Sequence, residues 1–165
     1  MAQAFAVRVL GVRRNPELED PAAVHADEIH GLTALPELLP RADFLVLAAP
    51  HTKETEKMIG ADELAVLPVG AALVNISRGS LVDEPALVAT LQAGHLGGAY
   101  LDVFAEEPLT ADSPLWSMPS VLVSPHSAST SDRENSRITD LFCENLSRYR
   151  AGAALLNTLD VERMY

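Results

Sequence analysis

The stretch from Asn75 to Asp102, NISRGSLVDEPALVATLQAGHLGGAYLD, constrains the chain more than any other, because it sets an arginine and an aspartate at the ends of two successive apolar runs. Residues 71–76 form a short apolar run of the kind that becomes a buried parallel strand, and it stops at Ser77-Arg78-Gly79. Asp83 is placed to cap a following helix, with Glu84 and Pro85 in its first turn, Val82 and Leu87 spaced as a hydrophobic staple, and Gly94 as the stop. Leu87, Val88 and Leu91 give that helix one apolar face. A second apolar run, residues 98–103, carries Asp102 near its end. The spacing predicts a strand-helix-strand unit whose polar residues lie at the carboxyl ends of the strands, where such units bind ligands.

The rest of the chain extends this alternation. Residues 1–6 read as the end of a helix, 7–12 as a short strand stopped by Arg13-Arg14-Asn15-Pro16, and an acidic loop runs through Asp27. A brief strand is expected at 29–31, a short helix at 35–39 and a strong strand at 42–48. Short helical turns at 54–59 and 61–67 flank Gly60, and Pro68-Val69-Gly70 is a turn. Residues 105–119 form a loop with one helical turn at 114–118, 121–123 a last strand, and 131–150 a helix with Ile138, Leu141, Phe142, Asn145 and Leu146 at helical spacing. Strands alternating with helices predict an α/β layered domain with a mostly parallel sheet.

Composition narrows the function classes. The 165 residues suit one domain, and the net charge of −11 argues against nucleic acid or an anionic membrane as partner, both of which require a basic footprint. Cys143 is the one cysteine, which excludes an intrachain disulfide and a thiol metal cluster; its apolar helical setting reads as a small buried side chain, and no metal site is expected. No apolar run reaches the roughly 20 residues of a membrane span, and the N-terminus lacks the order of a secretion signal, so a cytoplasmic protein is the default.

Four polar residues fall at or beyond the ends of expected strands: Arg78, Asp102, Glu107 and His126. A cation, two carboxylates and an imidazole converging on one sheet edge can bind a carboxylate and move a proton. Taken singly, each has an ordinary reading. An arginine in a turn caps carbonyls, an aspartate at a strand end forms turns, a glutamate in EEPL is a solvated loop acid and a histidine after a proline is a satisfied loop residue; Trp116, likewise, packs a loop under the last strand.

The segment NISRGSLVDEPALVATLQAGHLGGAYLDVFAEEPL followed by SPLWSMPSVLVSPHSA closely resembles the nucleotide-binding domain of the D-isomer-specific 2-hydroxyacid dehydrogenases, and within them the glyoxylate and hydroxypyruvate reductases. The resemblance spans residues 2–159 and implies a Rossmann-like, doubly wound parallel sheet, with hydride transfer between a nicotinamide cofactor and a small 2-oxo or 2-hydroxy acid. By the resemblance, Arg78 grips the substrate carboxylate and keto oxygen, His126 is the acid/base at the carbonyl, and Glu107 is the carboxylate paired with that histidine. Asp102 accepts a hydrogen bond from the nicotinamide carboxamide. Ala49 and Pro50 cover the adenosine side, Ile76 and Ser77 offer backbone to the cofactor, and Arg78, His126 and Ala128 complete the cofactor set. NAD-using relatives place an acid at the end of the strand that here stops at Arg13 and Arg14; two guanidinium groups suit a 2′-phosphate, so NADP is expected over NAD, with NAD still possible.

The pattern also breaks. None of the nine glycines forms a G-x-G-x-x-G, so the first strand, the phosphate loop and its helix are missing from this stretch, and the substrate domain is largely absent. In the usual order 3-2-1-4-5-6 that first strand is central, and 7–12 and 42–48 lose their shared neighbour. Ser129 and Ala6 stand where the family commonly has glycine. The reading is a truncated dinucleotide-binding domain over 1–165 with a C-terminal helix and tail, a C-terminal portion of a longer dehydrogenase through truncation or a mis-assigned start. The alternative is a non-catalytic fragment that pairs with a full-length relative; homodimerisation is expected of the enzyme itself.

Overall fold

Residues 5–18 and 25–159 are described in the computed structural model of the chain. Parts of the helix end at 1–6, of the acidic loop and of the tail lie outside the described residues. Two parallel sheets carry the alternation: β1 (Leu10–Val12) pairs with β2 (Glu28–His30), and β3 (Phe44–Leu47), β4 (Ala72–Asn75), β5 (Gly98–Leu101) and β6 (Val121–Val123) form a second sheet in that order. Between them lie α1 (Leu35–Leu38), α2 (Ala61–Val66) and α3 (Glu84–Gln92), and α4 (Glu134–Arg150) follows β6. Among the described residues no strand joins β1 to β3, which leaves the gap expected at the centre of the Rossmann order.

The local rules hold where they rest on a mechanism. Asp83 accepts the Ala86 amide at 3.2 Å as N-cap of α3, and Gly94 ends the helix at φ +69°. Leu87 and Leu91 of α3 and Leu64 of α2 pack on Leu73, Ala99, Leu101 and Val121 of the sheet, forming the core. The opposite sheet face is apolar and open: register places Val46, Val74, Tyr100 and Leu122 in one row, and Val46 and Leu122 are more than half exposed. Parallel sheets are normally covered on both faces.

Several expectations need correction. The strand expected at 7–12 is only Leu10–Val12: the Val9 amide turns to the Asp27 carboxylate at 2.7 Å, and its carbonyl is shared between the Asp27 amide at 2.8 Å and the Glu28 amide at 3.3 Å. Of residues 54–59, expected as a helical turn, 54–57 lie in hydrogen-bonded turns with Lys57 at φ +49°, a conformation that ends any helix there, and Ile59 instead bridges Val82 in parallel. Cys143 is exposed instead of buried, on a helix whose Ile138 and Phe142 are themselves 60% and 65% exposed. Ala6 has φ +57°, which accounts for glycine being the commoner residue at its position in the resemblance.

Charge ties the two sheets together. Glu28 on β2 receives Arg41 at 2.9 Å, His30 at 2.8 Å and Arg8; the Arg41 hydrogen bond, then that of His30, hold its carboxyl down at about 2. Arg14, beyond β1, reaches Glu54 at 2.7 Å.

Candidate functional site

Parallel strands deliver their carboxyl ends to one edge, so the residues after β4, β5 and β6 become neighbours by register. Ile76 donates to the Leu47 carbonyl, Asp102 to Asn75, and Ser124 to Leu101. The turns after β4 and β6 are each shaped by a buried polar side chain, Asn75 and Asp102.

Asn75, 1% exposed, organises the SRG turn. Its Oδ1 accepts the Ser77 amide at 3.1 Å and the Ser77 hydroxyl at 3.2 Å, while its Nδ2 donates to the Arg78 carbonyl at 2.9 Å. Gly79 follows because no side chain fits: a Cβ there would lie 1.9 Å from the Phe104 carbonyl carbon. That contact lays the 104–107 segment against the arginine turn. Glu84, in the first turn of α3, accepts the Ala105 amide at 3.0 Å and pins the same segment.

Glu107 is thereby brought to His126. Its Oε1 accepts the Phe104 amide at 3.0 Å, and its Oε2 meets Nδ1 of His126 at 2.8 Å. Burial opposes ionisation of Glu107, but the Phe104 amide, the His126 hydrogen bond and the charges of His126 and Arg78 outweigh it and hold the carboxyl below its ordinary range. An imidazole tied at one nitrogen to a carboxylate offers the other for proton exchange.

Asp102, also 1% exposed, braces the histidine loop. Its carbonyl accepts the His126 amide at 2.9 Å. Its carboxylate accepts the Ser124 hydroxyl, the Ser127 amide at 2.9 Å and the Ala128 amide at 2.8 Å. Burial disfavours the ionised form, yet these three hydrogen bonds and the His126 charge prevail, keeping the carboxyl below its usual range.

His126, Glu107, Asp102 and Ser124 form the polar end of a cavity of about 560 Å³ whose other walls include Phe104, Leu109, Trp116 and Val123. Trp116 is half exposed at this cavity, with its indole N–H donated to the Thr110 carbonyl at 2.8 Å. Arg78 is not part of the wall; its Nη1 folds back to the Ser77 carbonyl at 2.6 Å, although its charge is felt at Glu107.

The cofactor residues expected from the sequence are distributed along the same edge. Ala49 and Pro50 follow β3, and the Pro50 carbonyl accepts the Thr55 hydroxyl at 2.8 Å. Ile76, 41% exposed, and Ser77 follow β4, and Ala128 is held by Asp102. Arg13 and Arg14 sit apart on the two-stranded sheet, where the Arg13 amide donates to the His30 carbonyl at 2.8 Å and Arg14 is engaged by Glu54. This donor set suits a nicotinamide dinucleotide: guanidinium groups beyond one strand, exposed backbone beyond two more, and a buried carboxylate beside the cavity. Asn75, Ser124 and Glu84 were missed as site residues. A lone polar residue closing the apolar run AALVN was the available signal for Asn75, and the serine of SPHSA for Ser124.

Residues 1–128 match the family described as D-isomer specific 2-hydroxyacid dehydrogenase, NAD binding domain. The chain is 41% identical over 128 residues to a glyoxylate reductase of Korarchaeum cryptofilum, covering 78% of this chain and 39% of that protein. To a glyoxylate reductase of Thermococcus gammatolerans it is 38% identical over 151 residues, covering 92% and 44%. Among solved structures, the NADPH-dependent glyoxylate/hydroxypyruvate reductase of Sinorhizobium meliloti, in complex with NADP and sulfate, superposes with a TM-score of 0.86 at 30% identity, covering 99% of this chain and 51% of that one. A D-isomer specific 2-hydroxyacid dehydrogenase from Xanthobacter autotrophicus Py2, in complex with NADPH and MES, gives 0.81 at 37% identity, covering 98% and 74%. The chain thus spans about two fifths of the length of these curated relatives, at 39% and 44%. With the family's match covering the site just described, the chain belongs to the D-isomer specific 2-hydroxyacid dehydrogenases, within their NAD-binding domain.

Proposed function

We propose that the chain carries the acid/base machinery and part of the cofactor site of an NADP-preferring reductase of small 2-oxo acids, of the glyoxylate or hydroxypyruvate type. The observation that carries the reading is the 2.8 Å pairing of His126 Nδ1 with Glu107 beside a cavity, at the carboxyl edge of a parallel sheet. When bound, the reduced nicotinamide supplies the hydride. Nε2 of His126 delivers the proton to the carbonyl oxygen, and Glu107 holds the ring by Nδ1. Arg78, released from the Ser77 carbonyl, binds the substrate carboxylate through its planar fork. Arg13 and Arg14 read the 2′-phosphate; NADPH and NADP in the related crystal structures support this preference. Residues 1–165 act here as part of a dinucleotide-binding domain with a C-terminal helix and tail, in the cytoplasm, and pair with a second copy or a longer relative. The exposed stripe of Ile138, Phe142 and Leu146 on α4 supports such pairing.

The test is a chimera in which this chain replaces the matching segment of the Korarchaeum cryptofilum relative. NADPH-dependent glyoxylate reduction is expected, falling about a hundredfold or more in His126→Gln, in line with the usual worth of a general acid. A folded chimera that binds NADPH but leaves glyoxylate unreduced contradicts the reading.

A further inference from the structure

We propose that Asp102 and Ser124 act as a positioning pair for His126: the buried carboxylate, clasped by the Ser124 hydroxyl and the amides of Ser127 and Ala128, sets the loop that presents the imidazole to Glu107. This rests on the reading of His126 as the acid/base and goes beyond the resemblance, which assigns Asp102 to the cofactor and gives Ser124 no part.

Three observations carry it. The donors flank the histidine on both sides, two residues before it and one and two after, so one carboxylate spans the whole turn. The Asp102 carbonyl takes the His126 amide at 2.9 Å, so both the backbone and the side chain of one residue hold the loop. His126 itself sits at φ +52°, a left-handed conformation that an L residue keeps only where its surroundings impose it. The ring is then fixed twice, through its backbone by Asp102 and through Nδ1 by Glu107.

Ser124 is the element of this brace that can be removed without touching the histidine. Alanine at 124 leaves a buried oxygen of Asp102 with one donor fewer, and the carboxylate is then free to shift toward the two remaining amides. The loop turns with it, and the Nδ1 contact to Glu107 loosens.

The experiment uses the 15N-labelled 165-residue chain without cofactor or substrate, so a chain that fails to bind NADPH leaves the outcome legible. Long-range imidazole spectra report which nitrogen of neutral His126 bears the proton, and solvent exchange is read at the Ser127 and Ala128 amides. The wild-type ring is expected as the single tautomer with its proton on Nδ1, facing Glu107. Ser124→Ala is expected to give a tautomer mixture and about tenfold faster exchange at both amides, with the Leu73 and Leu101 amides unchanged. Ser124→Thr, which keeps the hydroxyl, is expected to restore both signals. Ser124→Cys, similar in volume and a weak donor, carries the same comparison where alanine disturbs the strand. A folded Ser124→Ala or Ser124→Cys variant with one tautomer and wild-type exchange overturns the proposal.

Discussion

The backbone amide of Asp102 donates to the carbonyl of Asn75 at 3.0 Å, which sets the two buried polar side chains among the described residues next to each other at the ends of β5 and β4. Asn75 shapes the turn that follows its own strand, and Asp102 shapes the loop that follows the neighbouring β6. Asn75 holds the arginine turn and Asp102 the histidine loop, so the two halves of the site are joined by a ladder hydrogen bond of the sheet itself.

Asn75 is therefore structural and functional together. Asn75→Ala removes three hydrogen bonds and strips the Ser77 amide and Arg78 carbonyl of their partner; a loss of about 1–3 kcal/mol in urea unfolding is expected. In the chimera the same change is expected to raise KM for glyoxylate more than it lowers kcat, because Arg78 binds the carboxylate in ground and transition states alike. Equal stability in wild type and variant would remove Asn75 from the account.

Gly79 admits no side chain. Gly79→Ala drives a methyl into the Phe104–Ala105 backbone, and the segment that carries Glu107 must move. Destabilisation of about 3 kcal/mol is expected, at the upper end for overpacking, together with loss of the His126–Glu107 contact in imidazole spectra. A variant as stable as the wild type contradicts the close approach.

How far this was legible in sequence follows from the kind of signal each residue leaves. Asp83, Gly94 and the limits of β6 were readable because caps and short apolar runs are local. Arg78, Glu107 and His126 were found through an ordered motif, and the pairing of Glu107 with His126 depends on parallel register. Ser124 and Asn75 escaped as site residues because their partners are set by turns and neighbouring strands, which no local pattern reports. Cys143 was read as buried because periodicity identifies an apolar face but not whether another element covers it. Residues 54–59 passed for helical because threonine and glutamate tolerate either state; a Thr52–Thr55 hydroxyl network closes the start of the segment into turns, and Ile59 pairs with Val82.

Acid should loosen the fold through three carboxyls. Glu28, Asp102 and Glu107 all ionise more readily in the folded chain than in the unfolded one, Glu28 at about 2. Their contribution is complete above about pH 5 and is lost as pH falls through about 4 toward the folded values, since protons then bind the unfolded chain first. The urea midpoint is expected to drop between about pH 5 and pH 3, and to drop less steeply in Glu28→Gln and Glu107→Gln. An unchanged slope in both variants would show that the acid sensitivity lies elsewhere.

Arg14 shares its guanidinium with Glu54 at 2.7 Å, so a phosphate arriving there meets a carboxylate as well as a cation. Glu54→Gln is expected to raise the preference for NADPH over NADH by a few fold, and Arg14→Ala to lower it about tenfold, the worth of one charge-assisted hydrogen bond. Dissociation constants from calorimetry check both, and a preference that neither change moves would separate this pair from phosphate recognition.

Titration of the purified chain with NADPH and with NADH, followed through Trp116 at the cavity, tests the central claim most directly. Saturable quenching by both, tighter for NADPH and weakened for NADPH in Arg14→Ala, is the result this account predicts. A chain folded by circular dichroism whose fluorescence saturates with neither cofactor would contradict it.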